Sequence, residues 1–100
     1  MINHIVLIRW REGISPTEIG NVVAAAWELR KISGVLDVGV YRNLGVAQAQ
    51  YGKGIGHVFM IRLRDLQALE EFRPHPIHRD YGQTFFPSAA EVTIVDIEDQ

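Results

Sequence analysis

Periodicity does most to limit the folds open to this chain. Four runs have the β-branched and aliphatic make-up of strands: Ile2 to Trp10, Val35 to Tyr41, His57 to Leu63 and Glu91 to Ile97. Between the first two lies a helical stripe of Ile19, Val22, Val23, Ala26, Trp27 and Leu29. Ser15-Pro16-Thr17-Glu18 opens that helix. Ser15 can cap, Pro16 suits the first helical position, and Glu18 completes a capping box. Ser33-Gly34 closes it, with Gly34 suited to a left-handed cap. Arg42 to Gly56 carries Gly45, Gly52, Gly54 and Gly56 and reads as a long, mobile loop. After the third strand Asp65 is placed to cap a short helix with Leu66, Leu69 and Phe72 turned inward. Pro74 stops that helix, and His75-Pro76 starts another segment that runs to about Phe86, before Pro87.

The order β-α-β-β-α-β, with the second helical region broken near Pro74, is the split βαβ or ferredoxin-like plan of the α+β class. It yields a four-stranded antiparallel sheet with helices on one face. One hundred residues suit a single domain spanning 1–100, and 47% hydrophobic against 22% charged residues is enough for a core. A net charge of −2 gives no electrostatic footprint for nucleic acid or an anionic membrane. With no cysteine, disulfides and thiolate chemistry are excluded. The first residues show no basic stretch before an apolar core, and no apolar run approaches a membrane span, so a soluble cytoplasmic protein is expected.

Strand parity extends the argument to assembly. In the first strand His4, Val6 and Ile8 oppose Ile5, Leu7 and Arg9; in the third, His57, Phe59 and Ile61 oppose Val58, Met60 and Arg62. In the last, Val92 and Ile94 oppose Thr93, Val95 and Ile97. Helices can cover only one set. Ile5, Leu7, Val58, Met60, Val95 and Ile97 would then form an apolar patch too large for a soluble monomer. A homodimer through the helix-free sheet face, its two sheets roughly 10 Å apart, is expected to bury it.

Histidine placement suggests a site. His4 and His57 lie inside strands, where a buried ring needs a partner or a pocket, while His75 and His78 bracket Pro76 at a helix start. His78 is the candidate base, because a neutral imidazole can remove a proton α to a carbonyl and return it. A turn-fixing hydrogen bond is the plainer role for the same ring. His75 reads as a helix cap. His4 and His57 share a sheet face and, with His78, could form a hydrogen-bonded cluster that polarises a substrate oxygen; a buried pair that fixes strand register is the structural alternative. Tyr81, one turn beyond His78, could supply a phenol. Val23, Trp27 and Phe72 from the helices and Val38, Phe59 and Ile94 from the sheet are the candidate lining of a substrate pocket for a small apolar ligand, with plain core as the alternative, since sequence does not show whether a void lies between them. The spacing of the histidines carries no zinc signature, Gly52-Lys53-Gly54 is not a phosphate loop, and neither a metal nor another cofactor is expected.

Asn3-His4-Ile5-Val6-Leu7, Gly56-His57-Val58 and His75-Pro76-Ile77-His78, with Arg42-Asn43 and Val95-Asp96, together resemble the stress-responsive α/β barrel family over nearly the whole chain. That resemblance implies a dimer whose two sheets form a barrel. It does not imply one reaction, since many members have none assigned. A plant polyketide cyclase of this kind works without a cofactor, with its base at the position matching His78, a tyrosine at the position matching Phe72, and histidines matching His4 and His57 along its cavity. Here Phe72 lacks the hydroxyl. A plant hydroxynitrile lyase of the same kind also does cofactor-free acid–base work. The sequence therefore supports two classes of function: a cyclase or lyase acting on an apolar carbonyl compound, or a non-catalytic stress-associated or ligand-binding homodimer with structural histidines.

Overall fold

In the computed structural model, which describes residues 1–99, four strands form one antiparallel sheet in the order β2-β3-β1-β4. They are β1 (Ile2–Trp10), β2 (Val35–Arg42), β3 (His57–Leu63) and β4 (Ala89–Glu98). The helices are α1 (Pro16–Glu28), a single turn α2 (Ala49–Gly52), α3 (Leu66–Phe72) and α4 (Pro76–Phe85). The sheet order and element sequence are those of the ferredoxin-like plan expected from the periodicity.

Local signals act where the sequence puts them. Ser15 Oγ accepts from the Glu18 amide at 3.1 Å and donates to the Glu18 carboxylate at 3.3 Å, starting α1. Asp65 caps α3 by accepting from the Ala68 amide at 2.9 Å. His75 caps α4 through Nδ1, which accepts from the Ile77 amide at 3.1 Å. Gly34 has φ +91°, and a Cβ there would lie 2.7 Å from the Ala68 Cβ, so the α1–β2 connection needs glycine for both conformation and space.

Some expected inward residues face out. Trp27 is 40% exposed, because the α1 stripe that meets the sheet is Val22, Ala26 and Leu29, and Trp27 lies about 100° around the helix from Ala26. Leu66 is also exposed; α3 turns Ala68, Leu69 and Phe72 to the core. The 42–56 connection contains the turn α2 and is anchored at its base. The amide and side chain of Asn43 donate to the Gly56 and Ile55 carbonyls at 2.9 and 2.8 Å, and the Gly56 amide donates to Ile8 at 2.8 Å.

Alternation in β1 is clean: Ile2, His4, Val6 and Ile8 are buried beneath the helices. Val38, Phe59, Ile61 and Leu63 continue that layer, and Phe72, Tyr81 and Phe85 close it from above. Only the start of β4, Ala89 and Val92, packs against the helix-covered core. Ile94, opposite Val6 and thus on the helix side, stays half exposed. On the other side of the sheet Tyr41 and Val58, then Met60, Ile5 and Val95, occupy neighbouring positions; the 42–56 connection with α2 borders the Tyr41–Val58 end, where Tyr51 and Ile55 share a depression with Leu7, Tyr41 and Val58. Ion pairs Arg9–Glu91 (3.6 Å) and Arg62–Asp99 (3.8 Å) lie towards the two ends of that face, leaving its middle apolar.

Candidate functional site

The strand register separates the histidines. His4 is paired with Ile61 and His57 with Ile8, so the two rings stand four residues apart along β1, about 13 Å at the usual strand rise. The expected hydrogen-bonded cluster of His4, His57 and His78 therefore does not form, and each ring has its own partner. At one end His57 Nδ1 accepts from the Trp10 indole N–H at 3.0 Å. Trp10 packs over Gly56, where a Cβ would approach the indole Cδ1 to 2.6 Å, so Trp10, Gly56 and His57 form one packed corner. Partial burial and then the Arg42 charge hold His57 below the ordinary imidazole range.

At the other end, buried His4 meets Asp96 through Nδ1, 2.5 Å from Oδ1. The second Asp96 oxygen lies 3.6 Å from the Arg73 guanidinium. Edge-on contact with Phe72 at 5.4 Å links His4 to His78, whose ring centre is 4.6 Å from that of Phe72 on its other side. His78 Nδ1 lies 3.0 Å from the Arg73 carbonyl, which can only accept. Nδ1 therefore carries the proton, and in the neutral ring Nε2 keeps the lone pair. Desolvation, with smaller contributions from His4 and Arg73, lowers the His78 pKa; the Arg73 carbonyl opposes the shift. A half-buried imidazole of this kind is a neutral base at physiological pH.

His78 lines a groove of about 590 Å³ along the flank of α4, with Arg73, Arg79, Gly82 and Gln83 and with Phe86 and Pro87 at its far end. None of the six expected pocket residues borders it. Val38, Phe59 and Phe72 are sealed in the core, Val23 packs against that core, and Trp27 and Ile94 are exposed elsewhere. The space between helices and sheet, which the sequence alone leaves open as core or cavity, holds the rings of Phe59, Phe72, Tyr81 and Phe85, and the open volume lies outside them. Tyr81 is buried against Phe59 and Phe85, 5.8 Å from His78 by ring centres. Its hydroxyl has no hydrogen-bond partner among the described residues, and burial raises its pKa, so it stays a protonated donor. The open ground on its flank is a smaller depression, about 280 Å³, shared with Ile77, Asp80 and Thr84.

Sequence reasoning missed the arginines on either side of the His-Pro-x-His segment and the helical glycine Gly82. Their signal was adjacency: Arg73 and Arg79 flank the segment, and Gly82 lies one turn beyond His78. No group of three or more metal-ligating side chains converges among the described residues.

The model of the stress responsive A/B barrel domain matches residues 2–99. The chain belongs to that family. Solved structures similar to this chain show how firmly the fold is held at low identity. An Arabidopsis thaliana protein superposes with a TM-score of 0.89 at 21% identity, covering 100% of this chain and 96% of its own. The hydroxynitrile lyase of Passiflora edulis gives 0.86 at 20% identity, with 99% and 94% covered. A dimeric ferredoxin-like protein of unknown function from Thermobifida fusca gives 0.83 at 23%, with 96% and 88% covered. No curated protein matches the chain. At these identities the A/B barrel relatives establish the fold, and the chemistry has to be argued from this chain's own side chains.

Proposed function

We propose that this A/B barrel protein is a homodimer, joined through the helix-free sheet face, that carries out cofactor-independent acid–base chemistry on a carbonyl compound at the His78 groove. The observation that carries the chemistry is the Nδ1 hydrogen bond of His78 to the Arg73 carbonyl. It fixes one tautomer and leaves Nε2 as a proton acceptor on a ring that lines an open groove. Removing a proton α to a carbonyl needs a neutral base and a way to hold the enolate oxygen. His78 supplies the base. Arg73 and Arg79, in the same groove, supply positive charge for the oxygen. His4 and Asp96 hold Arg73 in place and act through it. Tyr81, the remaining expected catalytic group, offers a buried O–H that still wants an acceptor. His57 is assigned to the Trp10 corner and takes no part in the step. Aldol-type ring closure falls within this chemistry. Cyanohydrin cleavage would use the same base differently, taking the hydroxyl proton as the C–CN bond breaks, the carbonyl forms and cyanide leaves towards the arginines. The Passiflora edulis lyase, which shares the fold, supports it.

A binding dimer without turnover is the second reading. It draws support from His4, His57 and His75, each of which already has a structural hydrogen bond. Deuterium uptake into phenylacetone, followed by proton NMR in heavy water, separates the two. Catalysed exchange that disappears in His78→Gln is expected. Exchange at the uncatalysed rate in both proteins would leave only the binding role.

A further inference from the structure

The His78 groove has a charge pattern that selects among carbonyl compounds. Two of its lining residues are arginines, and no carboxylate lines it among the described residues. Arg73 shares its charge with Asp96 at 3.6 Å, whereas Arg79 makes no ion pair among the described residues. The acidic residue next in sequence, Asp80, lies on the other flank of α4 beside Glu28 and Lys31. The groove thus holds an uncompensated guanidinium next to the His78 ring. Beyond the arginines the surface turns apolar: Phe86 is 62% exposed, stacked on Phe85 at 4.4 Å, and followed by Pro87.

Gly82 lies between the two regions. It sits inside α4, where glycine is the poorest helix former other than proline. Its φ is not positive, and a Cβ there would meet the Phe86 ring at an ordinary 3.7 Å, so neither conformation nor crowding by the fold demands glycine. What the missing side chain leaves is open volume in the groove floor.

We infer that the ligand of this groove is an organic carboxylate with an apolar, ring-bearing body, its carboxylate held by Arg79 with Arg73 and its body laid over Gly82 against Phe86. This deepens the acid–base reading by naming the substrate class of the same site. A guanidinium binds a carboxylate by paired, charge-assisted hydrogen bonds, and exposed aromatic surface accepts the rest of the molecule. A carbonyl adjacent to the carboxylate would then lie beside His78.

Phenylpyruvate and phenylacetone are the probes, since they share ring, methylene and ketone and differ in the carboxylate. Amide NMR titration of the full chain measures both affinities. Phenylpyruvate is expected to bind about tenfold more tightly, the scale of one charge-assisted hydrogen bond, and to move the Arg79, Gly82 and Phe86 signals. Arg79→Gln, an exposed change, should bring the two affinities within about twofold of each other, with Arg79→Lys between the extremes. Gly82→Leu should block both probes by filling the floor. Equal affinities in the wild type would overturn the inference and leave the acid–base reading standing. Competition by inorganic phosphate as effective as that by phenylacetate would also overturn it, by reducing the groove to an anion patch. Tight, selective phenylpyruvate binding without deuterium uptake into either probe would do the reverse, sinking the acid–base step while the carboxylate site holds.

Discussion

His78 is a residue whose environment sets its chemistry. Its pKa is lowered chiefly by burial, so the neutral base persists through neutrality and is lost only as pH falls through a value below 6.5. Turnover at limiting substrate should therefore show an acidic limb below that point, and His78→Gln should remove both the limb and the rate. Stability should move little, within about 1 kcal/mol, because glutamine keeps a donor for the Arg73 carbonyl. The same shift has a thermodynamic consequence. His57 and His78 both have lowered pKa values, so below 6.5 the unfolded chain binds more protons than the folded one. Stability should then fall as pH drops from 6.5 through the folded values and level off beneath them, as far as these groups contribute; urea melts across pH 5–7 test this directly. His78 was legible in the sequence because a His-Pro-x-His turn is unusual. The division between His4 and His57 was not, because a shared face says nothing of distance along it until the register is known. Arg79 and Gly82 carry no pattern of their own and gain meaning only from the groove they line.

Helix and strand boundaries follow local chemistry closely. Ser15, Asp65 and His75 cap the three longer helices, and each capping residue stands out in the sequence beside a proline or an apolar stripe. Ser15→Ala should cost about 1 kcal/mol, measured by chemical denaturation, as the Glu18 amide loses its acceptor. Gly34→Ala should cost more, at least about 2 kcal/mol, since a left-handed φ and a 2.7 Å approach to the Ala68 Cβ act together. Ala68→Gly in that background should return part of the loss, because the crowding goes while the backbone strain stays. The helical turn α2 escaped the sequence reading: four residues without a capping side chain leave no periodic trace. Trp27 and Leu66 were misplaced for a related reason. A large apolar residue at the margin of a stripe looks like core until the helix rotation is fixed by what it packs on, here Val22 and Ala26 for α1 and Ala68 and Leu69 for α3.

At the scale of the whole molecule the two sheet faces are unequal. The helix-covered face is closed by aromatic rings, while Ile5, Leu7, Tyr41, Val58, Met60, Val95 and Ile97 share the opposite face, bordered at the Leu7, Tyr41 and Val58 end by the α2 connection. The shape agrees, with principal extents of 36 × 31 × 16 Å, the thin axis of a two-layer slab. Charges on this face are drawn into the Arg9–Glu91 and Arg62–Asp99 pairs towards its ends, so the centre is free of them. A second copy laid on it would bury what these half-exposed side chains still show to water, about 1 kcal/mol for each that becomes fully covered, which counts towards the cost of association. The Thermobifida fusca protein of the same fold is itself dimeric. Met60 lies near the middle, paired with Ile5 on one side and Gly39 on the other. Met60→Glu would place a carboxylate in the dry centre of such an interface, an uncompensated charge costing several kcal/mol. Its own protomer leaves the side chain only half buried, so the folded subunit should survive the change. Sedimentation at micromolar concentration should show the wild type at twice the mass of one subunit, and Met60→Glu as a folded single subunit with unaltered helical circular dichroism. A wild type that sediments as one subunit would remove the dimer. It would also require another cover for the apolar face, since Met60, Ile5 and Val95 side by side are not a stable boundary with water.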